Sequence, residues 1–182
     1  MTLSVSSALA RNFYGKYRGT VLNNVDPERR GRLTLLVSDV TGETPTNWAE
    51  PVVPLAGPTG LPMGMYVVPP IGAAVWVEFE QGDAEKPIWV GCRWGSSADV
   101  PLSATIGLPA SPNICMQTLG QHMLMLSDMV PSPETGGIVL KSLTGAKIVV
   151  NDMGIFIDNG KGASITLTAN MVNVNLGALV VT

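Results

Sequence analysis

Residues 137–182 read GIVLKSLTGAKIVVNDMGIFIDNGKGASITLTANMVNVNLGALVVT. Ile138 and Leu140 share one parity, as do Ile148 and Val150, then Ile155 and Ile157, then Ile165, Leu167 and Ala169. Val172, Val174 and Leu176 complete the series, while Lys147, Asn151, Asp158, Ser164, Thr166, Thr168, Asn173 and Asn175 take intervening positions. A two-residue period with one apolar face marks half-buried β-strands rather than helices. Gly145, Gly154, Gly160 and Gly162 supply the breaks between them. No helix follows that could cover the apolar face, and a lone stack of short strands cannot exclude water from it. That face is expected to meet copies of itself or another chain.

The whole chain has 182 residues, room for one ordinary domain or two small ones. It is 46% hydrophobic and 14% charged, against a usual charged share of about a quarter. Few charges with much Val, Ile, Thr and Gly predict an all-β protein whose surface is largely covered in an assembly. A net charge of -3 and a pI near 5.0 argue against wrapping nucleic acid. Cys92 and Cys115 are expected to be buried thiols made in a reducing compartment. The opening MTLSVSSALARNFYGKY lacks a basic leader before an apolar run, so no signal peptide is expected. No apolar run is long enough to span a bilayer.

Ahead of the ladder the chain reads as a small barrel. Ser6 to Phe13, with Leu9 and Phe13 on one face, predicts a short docking helix within a segment 1–15 that Gly15 closes. Strands are expected at Lys16–Asn24, Arg32–Ser38, Val52–Leu55 and in a hairpin whose arms carry Val75, Val77 and Phe79, then Ile88, Val90, Cys92 and Trp94, inward. Trp76 and Trp89 would then both lie outside, where exposed aromatic surface marks an interface between barrels or with another protein. Arg29, Arg30 and Arg32 could form an anion site, but Asp26 and Glu28 beside them favour a solvated turn. Five strands in this order fit an antiparallel oligonucleotide/oligosaccharide-binding (OB) barrel over 16–95. The stretch SSADVPLSATIGLPASPN, 96–113, has linker composition, and strands at Ile114–Thr118 and His122–Ser127 begin a second region, 114–182.

Three phrases carry a family resemblance: YRGTVLNNVDPERRGRLTLLV from Tyr17, NWAEPVVPLAG from Asn47, and PPIGAAVWVEFEQGDAEKPIWVGCRW from Pro69. Together they resemble the OB domain of phage baseplate assembly protein V and of the valine-glycine repeat spike proteins of type VI secretion. The most specific piece is the register of Pro70, Gly72, Val75, Val77, Phe79, Gly82, Asp83, Pro87, Ile88 and Gly91. GQHMLMLSD, GGIVLKS and GAKIVVNDMGIFIDN are similar to the carboxy-terminal region of the same proteins. The resemblance implies that three chains wind into a triangular β-helix, an intertwined needle around an apolar axis. On that reading Ile148, Val150, Ile155, Ile157, Ile165, Leu167, Val172, Val174 and Leu176 form the trimer core. The octapeptide Val-x-Gly repeat of long needles and the His-x-His pair that holds iron at some phage tips are both missing. With no hub or lysozyme domain in the sequence, the expectation is a minimal spike of barrel, linker and short needle.

Little in the sequence suggests chemistry. His122 is the only histidine; three copies could meet on an axis and bind a metal, but a strand histidine is more often packed or solvated. Glu78 and Glu80 are spaced like paired catalytic carboxylates, yet with Lys86 and Arg93 nearby they read as a solvated or interface face. No Ser/His/Asp set, Cys-x-x-Cys, P-loop or dinucleotide fingerprint is present. Neither an enzyme nor a cofactor or metal protein is therefore expected.

Two functions remain. The first is the homotrimeric central spike of a contractile injection machine, mounted by its barrel on a baseplate hub. Leu179, Val180, Val181 and Thr182 would carry a PAAR-repeat tip protein, and the spike would pierce the target envelope. Such a protein would be made in the cytoplasm and built into a phage tail or injection particle. The alternative is an OB-fold module that binds single-stranded nucleic acid or glycan on a trimeric stalk. The acidic Glu78, Glu80, Asp83 and Glu85 would repel a phosphate backbone, so no nucleic-acid partner is expected.

Overall fold

The computed structural model describes residues 12–181, with Val180 described by its backbone alone. Most of the expected Ser6–Phe13 helix, with Leu9, and the terminal Thr182 lie outside the described residues. The chain divides into two compact units at Gly95 and Ser96.

The first unit is a five-stranded barrel of β1 (Tyr17–Asn23), β2 (Thr34–Leu36), β3 (Glu50–Pro51), β4 (Ala74–Phe79) and β5 (Pro87–Cys92). The sheet runs β2-β1-β4-β5-β3, with β3 parallel to β5 and the other pairs antiparallel. Leu33 and Ala49 exchange backbone hydrogen bonds of 3.1 and 2.7 Å, which joins the β2 side to the β3 side and closes the ring. The resulting circuit, β1-β2-β3-β5-β4, is the OB-type barrel expected from the sequence. Alternation fills its centre: Leu33, Leu35 and Val37 on one arm and Val75, Val77 and Phe79 on another are buried with Val21, Ala49 and Trp89. Phe13 donates its N–H to the Gly82 carbonyl at 2.9 Å, and the Phe13 and Tyr17 rings lie 6.0 and 5.6 Å from that of Phe79.

Two barrel details depart from the sequence reading. The third strand is Glu50–Pro51, not Val52–Leu55, because Ala49 pairs with Leu33 and the parallel ladder with β5 ends as Val52 donates to the Trp89 carbonyl. Pro54 has no N–H with which to continue it. In the first half of β5 the inward parity is opposite to expectation: Pro87 stands across from Phe79 and Trp89 from Val77, and cross-strand partners share a face, whereas past the bulge Cys92 stands across from Val75 as expected. Trp89 is therefore a core residue, 5% exposed, with its indole N–H donated to the Gly31 carbonyl at 3.0 Å. A bulge follows, Trp76 pairing with Gly91 so that Val90 is the extra residue.

The second unit opens with residues 96–113, which are more than a tether. Ser96 caps the turn Ser97–Asp99, Leu102–Thr105 forms one helical turn, and the Asn113 amide donates to the Ser103 carbonyl at 2.7 Å. Eight short strands follow as one antiparallel meander: β6 (Ile114–Gln117), β7 (Met123–Ser127), β8 (Gly137–Lys141), β9 (Lys147–Asn151), β10 (Gly154–Asp158), β11 (Ser164–Thr168), β12 (Met171–Val174) and β13 (Leu179–Val181). Each strand pairs only with its neighbours in sequence, so backbone hydrogen bonding runs within the chain from β6 to β13.

One face of this sheet is partly covered by its own chain. Lys147, Val149 and Asn151 share a side of β9. Glu134 forms an ion pair with Lys147, and the Asn151 amide donates to the Ser132 carbonyl at 2.8 Å, strapping the β7–β8 loop across that side. Beneath and beside the strap Met125, Val139, Val149 and Phe156 are buried.

Candidate trimer interface

The opposite face is apolar along its whole length. Following the register from β6 to β13, Ile114, Leu126, Ile138, Val150, Ile155, Leu167, Val172 and Val181 stand in one row. Met116, Leu124, Leu140, Ile148, Ile157, Ile165, Val174 and Leu179 stand in a second row beside it. All sixteen side chains are aliphatic or methionine, and no polar atom interrupts either row. Ile155, Val172 and Val174 are half-buried; the rest of the described set stays open, from 37% at Leu167 to 67% at Ile114. At about 100 Å² per aliphatic side chain, roughly half of it open, each chain exposes on the order of 700 Å² of apolar stripe. Monomeric proteins show a largest patch of about 300–600 Å². A continuous stripe crossing every strand is an unfinished core.

The expected trimer-core residues fall on this stripe with one exception. Ile148, Val150, Ile155, Ile157, Ile165, Leu167, Val172 and Val174 are brought together by register. Leu176 is not: β12 ends at Val174, and Asn175 and Leu176 turn through φ 49° and 53°, leaving Leu176 92% exposed at a hairpin tip. Ala169, at φ 49°, is likewise a turn residue rather than a strand one. Leu179 and Val181 extend the two rows opposite Val174 and Val172, while Val180 pairs with Asn173 on the other parity. Alternation from Gly137 onward exposed most of the stripe; the four β6 and β7 members were not foreseen.

The other candidate residues are dispersed. Trp76 is half-buried on the outer side of the barrel, away from Trp89, so the expected pair of outward indoles does not exist. Glu78 forms an ion pair with Lys16, and Glu80 is exposed outside the strand. His122 is exposed beside the β6–β7 turn. Cys115 is half-buried and its thiol is pushed up by burial, whereas Cys92 is exposed, contrary to expectation.

Arg30 and Arg32 of the barrel's arginine cluster are paired with acids. Asp26 accepts the backbone N–H groups of Glu28, Arg30 and Arg32 at 3.0, 2.8 and 3.3 Å, and the Arg32 guanidinium at 2.7 Å. That guanidinium hydrogen bond holds the Asp26 carboxyl well below the usual range, and Asp26 in turn raises Arg32. Arg32 also reaches Glu28 at 3.0 Å and lies 5.6 Å over the Trp48 ring, while Arg30 pairs with Glu50. Two of the three arginines are thus paired with acids inside a self-bonded turn, and Arg29 is exposed beside them.

Residues 17–94 match the family described as the type VI secretion system/phage-baseplate injector OB domain. Residues 113–180 match the phage baseplate V C-terminal trimerisation domain. The chain belongs to the phage baseplate V family. It is a baseplate spike protein, and its second unit makes it a homotrimer. The open stripe lies wholly within the matched trimerisation domain except for Val181. No curated protein matches the chain. Among the described residues of the spike, no helix is long and apolar enough to cross a membrane, and no cluster of His, Cys, Asp or Glu could hold a metal ion.

Proposed function

We propose that three copies of the second unit pack their stripes inward around a common axis, making the needle of a contractile injection machine. The observation that carries this reading is the unbroken pair of apolar rows over β6–β13. Sheets packed face to face stand about 10 Å apart, the depth that Ile, Leu and Val side chains from facing rows fill. The axis then runs along the direction of interstrand hydrogen bonding, and seven strand spacings of about 4.8 Å give a dry column roughly 34 Å long. Strand β6, which the barrel feeds through residues 96–113, begins the column and β13 ends it.

The barrel sits on the baseplate hub and the β13 end points at the target envelope, which the spike breaches when the machine fires. Three β13 edges at the far end present unpaired backbone groups and the last apolar pairs, Leu179 and Val181, as a platform for a PAAR-repeat tip protein. The role is mechanical, without catalysis. Each protomer is held by side chains of both others, so pulling one free exposes all three stripes at once and the needle resists unfolding kinetically. The alternative of an OB-fold nucleic-acid module has little support, because two of its three candidate arginines, Arg30 and Arg32, are neutralised by Asp26, Glu28 and Glu50. Mass in solution together with negative-stain microscopy tests the proposal. A trimeric mass with a slender peg on each particle is expected, and a monodisperse monomer would overturn it.

A further inference from the structure

The two long sides of the second sheet differ in chemistry. One side is built by the turns joining β6 to β7, β8 to β9, β10 to β11 and β12 to β13; the other by the turns joining β7 to β8, β9 to β10 and β11 to β12. Turns of the first side project Leu143, 60% exposed, and Lys161, also exposed. Turns of the second side project Val130, 84% exposed, and Asp152 with Met153, 51% exposed. The remaining charges are mixed on the first side and acidic at Asp128 on the second. Lys141 ends a strand on the first side, where Asp158 accepts the Gly160 N–H at 2.6 Å, and Asp128 lies on the second side, bonded by Ser111. Among the described residues, Lys161 and Asp152 have no ion-pair partner within the chain.

We propose that the first side of each sheet packs against the second side of the next protomer, with the turns interleaved and Lys161 of one protomer beside Asp152 of the next. This rests on the reading that the stripes face a common axis. A closed threefold ring is heterologous: one patch must meet a different patch, so like sides cannot meet all round. Rotation about the axis involves no shift along it, so equivalent strands of the three chains stand level. Turns on the two sides join alternate strand pairs and are therefore offset by one strand, about 4.8 Å. Each tip of one side then falls into a gap of the other. Leu143 enters between Val130 and Met153, and Lys161 enters between Asp152 and the β11–β12 turn. The apolar tips lie against apolar tips, and the free lysine lies against the free aspartate. These corner seams seal the stripe from water along its length.

The test is directed cross-linking in the full chain with Cys92→Ser and Cys115→Ser, whose mass is first measured by light scattering. Asp152→Cys and Lys161→Cys are introduced together and oxidised under mild conditions. The two positions flank β10 at opposite ends, about 17 Å apart, beyond the reach of a disulfide within one chain. Every bridge must therefore join two chains, and a closed ring runs as a covalent trimer on a non-reducing denaturing gel. That band is expected from this pair and not from Lys161→Cys alone or from Lys161→Cys with Asp128→Cys, whose turns stand three strands apart. A trimeric mass with no band, or with bands from Lys161→Cys alone, would overturn the seam and leave the inward stripe standing. A monomeric parent would overturn both.

Discussion

Ile155 stands directly opposite Leu167 across the β10–β11 pair, both on the open apolar face. Neither touches a polar neighbour in its row, so any charge placed there has no partner. Leu167→Asp would force three carboxylates onto a dry axis, each costing about 3–5 kcal/mol when unpaired. Trimer association should weaken by more than about a thousandfold while the barrel stays folded. Light scattering at micromolar protein checks this, and a stable trimer would show that the inward face is wrongly assigned.

In the barrel, Trp89 and Trp76 should separate cleanly. Trp89→Ala empties a core site and leaves the Gly31 carbonyl without its donor, a loss of about 3–5 kcal/mol. Trp76→Ala removes a half-buried outer side chain and should cost less than half as much. Urea unfolding followed by far-UV circular dichroism measures both. Equal losses would contradict the observed parity of β5.

Asp26 makes barrel stability depend on pH. Its folded carboxyl titrates below the unfolded one, so its contribution is fully present above the unfolded value of about 3.9. It is lost as pH falls from there through the folded value. Asp26→Asn should destabilise the barrel at pH 7, and the gap between the two proteins should narrow below about pH 4. Thermal melts across a pH series give this difference directly, and a gap that widened in acid would refute the assignment.

Much of this architecture was legible in the sequence, and the exceptions share a cause. Period-two alternation disclosed β8 to β12 because one parity there is consistently apolar. It could not choose a face for β5, where Ile88, Trp89 and Val90 are all apolar and only the pairing with Val77 decides. Val139, Val149 and Phe156 escaped notice for the same reason, since the loop that shields them is held by the distant Lys147–Glu134 pair. Strand β3 is set by Leu33 and β5 rather than by its own two residues. Leu176 kept the alternation in sequence, but the left-handed turn at Asn175 and Leu176 takes it off the ladder.

Gly154 opens β10 at φ 145°, where a Cβ would overlap the Leu167 carbonyl oxygen of the next strand. Gly154→Ala should therefore part β10 from β11 and destabilise the needle by about 1–3 kcal/mol. The half-life of the trimer in hot detergent, read on a gel, should shorten, and an unchanged half-life would show that the hairpin absorbs the methyl group.

Single-stranded DNA should not bind tightly. With Arg30 and Arg32 already paired, filter binding at low salt should give no salt-sensitive retention. Tight retention that falls steeply with added salt would revive the OB-fold module.

The meander pairs each strand only with its sequence neighbours, and this makes length a separable property. One hairpin's worth of chain, as from Lys147 to Ser164, advances the sheet by two strands, about 10 Å. Adding or deleting such a unit leaves every other pairing intact and keeps both ends unchanged. Length is thus written in whole hairpins, so selection can lengthen or shorten this sheet two strands at a time without redesigning the pairing at β6 or at β13.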